Sequence, residues 1–125
     1  CRRASQGESL EVHSDGSANR NFIHIKDIAK ALAFFVKKES NFPSNTFNLC
    51  SDDNLTIAEL ARRVQEEYQG LTGKSVGVSV GGVKFINSSS KIPKKIIRSY
   101  SNQRISQLGF TPKVSLSEGI KEFFN

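Results

Sequence analysis

RNFIHIKDIAKAL, residues 20–32, changes its period halfway along. Phe22, Ile23 and Ile25 read as a short strand, and from Asp27 onward Ile28, Leu32, Phe35 and Val36 recur at helical spacing. The segment is therefore a strand that delivers the chain into a helix, and a permanent cation, Arg20, stands at its mouth. Asp27 fits the N-cap position of that helix, because a carboxylate accepts the orphan amide protons of a first turn. Lys37 and Lys38 suit the negative end of its dipole.

Working outward, ESLEVH (residues 8–13) alternates as a strand, and SDGSAN supplies turn chemistry, with Gly16 free to take positive φ. Further upstream, CRRASQGE reads as the basic tail of a helix stopped by Gly7, which implies that the chain is part of a longer protein. Downstream, ESNFPSN is a loop and TFNLC a short buried strand. SDDNLTIAELARRVQEEY carries the clearest helix: Thr56 and Glu59 form a capping box, and Ile57, Leu60, Ala61, Val64 and Tyr68 make one apolar stripe. Val76, Val78 and Val80 alternate as a strand, Gly81 and Gly82 break it, and VKFI is its partner. After the loop NSSSKIPKK, SNQRISQLG is a short helix ended by Gly109. Ser115 and Glu118 then cap a last helix whose Leu116, Ile120, Phe123 and Phe124 face inward. The expected fold class is α/β, of the α+β type: a small mixed sheet with three to four helices in one domain, residues 1–125.

The 125 residues, 37% of them hydrophobic, suffice for a core and argue against disorder. No apolar run is long enough to span a bilayer, and the opening residues lack the apolar stretch of a signal peptide. Two cysteines, Cys1 and Cys50, do not make a disulfide scaffold, so a reduced, cytoplasmic setting is expected. The formal charge of +6 is uneven. Residues 68–117 contain no acid, while Lys74, Lys84, Lys91, Lys94, Lys95, Arg98, Arg104 and Lys113 all fall there, a composition suited either to an anionic partner or to a solvated basic face.

Several constellations carry no chemistry. GLTGKS, residues 70–75, lacks the first glycine of a phosphate-binding loop and follows a helix instead of a strand, so it reads as a helix C-cap. His13 and His24 have no cysteine companions for a metal site. Cys50, in an apolar stretch beside Asp52 and Asp53, is a poor nucleophile. No serine occupies a nucleophile elbow, and no catalytic residue is assigned.

Three stretches in order, EVHSDGSANRNFIHIKDIAKAL, FNLCSDDNLTIAELARRV and RSYSNQRISQLGFTPKVSLSEGI, resemble the carboxyl-terminal part of the NAD-dependent epimerase/dehydratase family. These are the extended short-chain dehydrogenase/reductases that act on nucleotide sugars. The resemblance implies a substrate-binding lobe that closes over the nucleotide diphosphate. The glycine fingerprint for NAD or NADP and the Tyr-x-x-x-Lys catalytic pair would lie in an upstream Rossmann domain, the lobe's partner. Tyr100 followed by Arg104 is not that pair.

By the same resemblance, Arg20 contacts the substrate diphosphate, a role its permanently charged, forked guanidinium suits. Phe22 lines the nucleotide pocket or packs in the core. Arg98 is the second phosphate arginine, with Lys95 the alternative if the register slips. Arg104, the basic residue within that last helix motif, orients the helix or pairs on the surface, and Asn19 and Ser17 offer hydrogen bonds. The chain departs from the family pattern at Asn21, Lys26, Cys50 and Ser101. The implied parent is an enzyme that passes a hydride to and from a nucleoside-diphosphate sugar through NAD(P), and that forms a homodimer. The chain alone is expected to be inactive, to carry no cofactor, and to dimerise or swap elements through exposed surface. The alternative is a stand-alone basic module gripping nucleic-acid backbone or another polyanion, although the acid-free segment offers only Phe85, Tyr100 and Phe110 for base stacking.

Overall fold

A computed structural model describes residues 1–38, 42–44, 46–85 and 100–125 of the protein, with the backbone alone for 83–85. In chain order the elements are α1 (Arg2–Ser5), β1 (Leu10–Val12), β2 (Asn19–Asn21), α2 (Ile25–Lys37), β3 (Asn54–Thr56), α3 (Ile57–Thr72), β4 (Val78–Val80), β5 (Val83–Phe85), α4 (Gln103–Gln107) and α5 (Leu116–Phe124). None of these helices is long and apolar enough to cross a membrane. The loop expected at residues 87–95, together with Lys95 and Arg98, lies outside the described residues.

Among the described residues the architecture is mixed α/β, with two small sheets and five helices where one sheet and three or four helices were expected. β1 runs parallel to β4, which pairs antiparallel with β5, while β2 and β3 form a separate antiparallel ribbon. β1 and β2 therefore do not pair, although only the 13–18 turn divides them. Gly16 explains why. At φ +67 it bends the chain down onto α3, so closely that a Cβ there would lie 2.7 Å from Ala58 Cβ and 2.8 Å from Val80 Cγ1. Its carbonyl and that of Ala18 accept the N–H groups of Ala58 and Ile57, satisfying donors at the start of α3.

Both expected capping boxes are present. Thr56 Oγ1 accepts from the Glu59 amide while Glu59 reaches back to the Thr56 N–H, and Ser115 and Glu118 do the same for α5. Gly73, at φ 70, ends α3 with its N–H on the Gln69 carbonyl, so GLTGKS is a helix terminus. The main core gathers Ala58, Ala61, Val64 and Tyr68 of α3, Leu10 of β1, Val76, Val78, Val80, Ala4 and Ile120. Of the expected stripe Ala61, Val64 and Tyr68 are buried there and Leu60 packs against them half-buried, while Ile57 is half-buried and Ala58 joins the core instead.

The opening stretch differs from its reading. β2 lies upstream of the expected 21–25 strand, so Arg20 stands inside the strand and Phe22 beyond it. His24, not Asp27, is the N-cap of α2, its Nδ1 accepting the Lys26 amide at 3.2 Å. Asp27 is 1% exposed, and its Oδ2 accepts the backbone N–H groups of Lys113 and Val114 at 2.9 and 2.8 Å. That anchorage fixes the rotation of α2. Ala31 is buried with Ile105 and Phe110, while the expected inward residues Leu32 and Val36 are 63% and 83% exposed. Apolar periodicity marks a helix, but it does not choose which face finds a partner within a given chain. For the same reason Phe123, expected inward on α5, is 55% exposed. TFNLC forms no strand, although Cys50 is buried as expected, and the strand in that region is β3.

Candidate functional site

The β2–β3 ribbon carries Arg20, paired in register with Leu55. The guanidinium is exposed, and its Nη1 donates to the carbonyl of Asn19 at 2.8 Å. The strand pairing fixes the backbone under a side chain whose charge faces solvent. Asn19 is half-buried in the same strand, and its Oδ1 is shielded from solvent without a hydrogen-bond partner. Such an orphaned acceptor costs about 1–3 kcal/mol. Ser17 does not offer the free hydroxyl expected of it: it is 3% exposed, and its Oγ donates to the Asp15 carboxylate at 2.8 Å, closing the turn.

The ribbon is fastened from behind by amide side chains that sequence reading passed over. Asn21 Nδ2 donates to the Ser51 carbonyl at 2.8 Å while its Oδ1 accepts the Ser51 N–H at 3.0 Å. Only an amide makes both bonds, because a carboxylate has no proton to give. The departure at position 21 is therefore structural. Ser51 Oγ donates in turn to the Phe22 carbonyl at 2.6 Å. Asn102 repeats the device on the next residue: its Oδ1 accepts the Cys50 N–H at 2.7 Å and its Nδ2 donates to the Cys50 carbonyl. Asp53 Oδ2 accepts the Leu116 amide, tying the same segment to α5. Burial pushes the Cys50 thiol up, with the Asp52 charge adding to the effect, which disfavours the thiolate. A cavity of about 390 Å³ lies against this network, lined by residues that include Asp52, Ser106, Thr111 and Lys113.

Arg104, on α4, extends to Ser44 Oγ and the Thr46 carbonyl at 3.3 and 3.4 Å and lines a separate polar hollow with Asn48 and Ser101. These bonds tie Ser44 and Thr46 to α4. Ser101 Oγ accepts the Gln103 amide at the start of α4. Phe22 is not grouped with Arg20. It is half-buried and lines an apolar groove with Ile23, Leu60, Leu116 and Phe123. Lys26, another departure, pairs with Glu122 at 2.5 Å, and this contact holds the Glu122 carboxyl below its usual range. Among the described residues no group of three or more His, Cys, Asp or Glu is placed to hold a metal ion.

Fold and sequence point to the same class. Residues 1–50 match the model of the NAD dependent epimerase/dehydratase family. A probable GDP-L-fucose synthase 1 of Oryza sativa subsp. japonica is 32% identical over 122 residues, covering 98% of this chain and 33% of that protein. A putative GDP-L-fucose synthase 2 of Arabidopsis thaliana is 30% identical over the same coverage. The fold is shared with a UDP-glucose 4-epimerase of Thermotoga maritima solved with UDP-glucose, at TM-score 0.62 and 24% identity over 95% of this chain and 34% of that one. It is shared too with an RMD protein of Pseudomonas aeruginosa solved with NADPH, at TM-score 0.66 and 18% identity over 98% and 37%. The chain is similar to the NAD dependent epimerase/dehydratase family over residues 1–50, and it spans about a third of the length of the curated relatives it matches.

Proposed function

We propose that the chain is the substrate-binding, carboxyl-terminal lobe of an NAD(P)-dependent enzyme that modifies a nucleoside-diphosphate sugar. The observation that carries this reading is the alignment of nearly the whole chain with GDP-fucose synthases, with Arg20 held on a strand and its guanidinium open to solvent. In the parent, an upstream Rossmann domain binds NAD or NADP, and a Tyr/Lys pair there exchanges a proton with the sugar hydroxyl while the cofactor takes and returns the hydride. Arg20 neutralises the diphosphate, with Arg98 as the second cation and Lys95 as its substitute. Asn19, whose Oδ1 lacks a donor, accepts from a ligand hydroxyl or orients Arg20. Each contribution is positioning and charge compensation, so the lobe alone turns over nothing.

The test is calorimetric titration of the parent enzyme with UDP, GDP and dTDP. Arg20→Ala weakens the preferred nucleotide about ten- to a hundredfold, the worth of a lost charge-assisted bond, while NAD(P) affinity holds. Arg20→Lys recovers part of the loss. Unchanged affinity for all three nucleotides in Arg20→Ala removes the arginine from the site.

A further inference from the structure

Arg20 stands on a strand of three residues whose partner, Asn54–Thr56, is equally short. A two-stranded ribbon of that size is marginal in water, so the place of the Arg20 backbone has to be fixed by something besides the ladder. The guanidinium does not fix it. Among the described residues its hydrogen bond runs to the carbonyl of Asn19, a neighbour in the same strand that moves with it. Asn21 does: its Nδ2 lies 2.8 Å from the Ser51 carbonyl, 3.4 Å from the Asp53 carbonyl and 3.2 Å from Asn54 Oδ1, and its Oδ1 accepts the Ser51 N–H at 3.0 Å. The main chain closes around this amide, with the Phe22 N–H on the Asp53 carbonyl at 3.2 Å and the Ser51 hydroxyl accepting the Asp53 N–H at 3.0 Å. Successive side chains leave a strand on opposite faces, so Asn21 grips the 51–54 segment from the face opposite to the one on which Arg20 meets solvent.

We propose that Asn21 is a positioning residue for anion binding: it sets where the Arg20 guanidinium stands, and so the distance at which Arg20 meets a diphosphate, without touching the ligand. The proposal rests on the reading that Arg20 binds the diphosphate, and it goes beyond that reading by assigning the arginine's aim to a neighbour. The chemistry of the contact calls for an amide. The Ser51 peptide presents a carbonyl and an N–H to one side chain, and a group that both donates and accepts satisfies the two at once. A carboxylate of the same shape keeps the N–H and loses the carbonyl, and it sets a negative charge against the oxygens of Ser51, Asp53 and Asn54. A charge-assisted bond to phosphate is short, about 2.7–2.9 Å between heavy atoms, and a displacement of about 1 Å costs on the order of a hundredfold. An arginine on a loosened ribbon keeps its charge and loses that distance.

The test is a double-mutant cycle in the parent enzyme, read by calorimetric titration with UDP, GDP and dTDP and with uridine, guanosine and thymidine, which carry the bases without phosphate. Asn21→Ala and Asn21→Asp are each expected to weaken the preferred nucleoside diphosphate about tenfold, while its nucleoside changes less than about twofold. In an Arg20→Ala background the same changes weaken the diphosphate by less than about twofold, because a residue that acts through Arg20 has nothing left to act on. Asn21→Gln, which keeps a donor and an acceptor, recovers part of the affinity, and it takes the place of Asn21→Ala in the cycle if melting curves show that variant unfolded. Equal loss of diphosphate and nucleoside, or a loss of the same size with and without Arg20, overturns the proposal and leaves Asn21 a purely structural residue. Full diphosphate affinity in the Asn21 variants overturns it too, and where Arg20→Ala binds weakly in the same titrations the assignment of Arg20 stands. Full affinity in Arg20→Ala removes both, since the arginine then binds no diphosphate.

Discussion

The two apolar clusters of the molecule are built differently. Around α3, ten buried residues from two helices, the flanking helix α5 and two strands close on one another, and most are small or β-branched. Around α4, among the described residues, Ala31, Ile105 and Phe110 are buried, and the rest of the cluster is half-buried, namely Leu49 and three aromatic rings: Phe34 packs on Phe110 at 5.6 Å and Phe35 on Phe47 at 5.1 Å. The first cluster holds itself together by apolar packing. The second is hung on polar anchors, namely Asp27 on the 113–114 backbone and Asn102 on Cys50. Regular stripes suffice where a helix has partners on hand, whereas a thinly covered region depends on single hydrogen-bonding side chains. Arg20 sits on the ribbon fastened by a third anchor of this kind, Asn21.

The sharpest way to break the contrast is Asp27→Ala. It strands two backbone donors at a position 1% exposed and costs about 3–5 kcal/mol in urea unfolding, with Asp27→Asn losing less because one acceptor survives. A loss under about 1 kcal/mol would mean the aromatic cluster stands without its anchor.

Next in size, Ile105→Ala costs about 2–4 kcal/mol, since Ile105 is 1% exposed and few neighbours are placed to refill the space. Val64→Ala in the main core costs about 1–2.5 kcal/mol, as fewer methyl groups leave and the dense surroundings relax. The reverse order, measured by the same unfolding curves, would reject the picture of a thin second cluster.

The two capping boxes give a smaller effect. Thr56→Ala and Ser115→Ala each cost about 1 kcal/mol, with Thr56→Ala the larger because Thr56 is buried at 7% exposure and joins β3 to α3.

Smallest is the acid response. The hydroxyl and amide of Ser115 hold the Glu118 carboxyl below its ordinary 4.5, and the Ser117 hydroxyl does the same for Glu67, with Lys121 assisting. A carboxyl depressed in the folded state contributes stability that is complete above the unfolded value. It is lost as pH falls from about 4.5 through the lower folded value. Melting temperature should therefore decline across that window, and Glu118→Gln should flatten part of the decline.

Helix α3 was legible at once because the local signals agreed: a capping box, an apolar stripe and a terminal glycine mark one segment. The candidate site was legible only in part. Arg20 stands out as a cation beside a strand-to-helix unit, but nothing local marks Asn21, Ser51, Asp53 and Asn102 as anchors. Their partners lie 29 to 63 residues away, and no local pattern reveals such a pairing. β2 and β3 escaped for the same reason, as three-residue strands whose regularity comes from each other.

The sequence by itself determined where α3 and α5 start and that an apolar core exists, because caps and periodicity are set by neighbours within a few residues. Only the tertiary structure decided which face of each helix is buried, that β1 and β2 part into different sheets, and which polar side chains became anchors. Those outcomes depend on contacts between distant residues: Asp27 turns α2 toward the 113–114 backbone, and Gly16 lets the chain close onto Ala58.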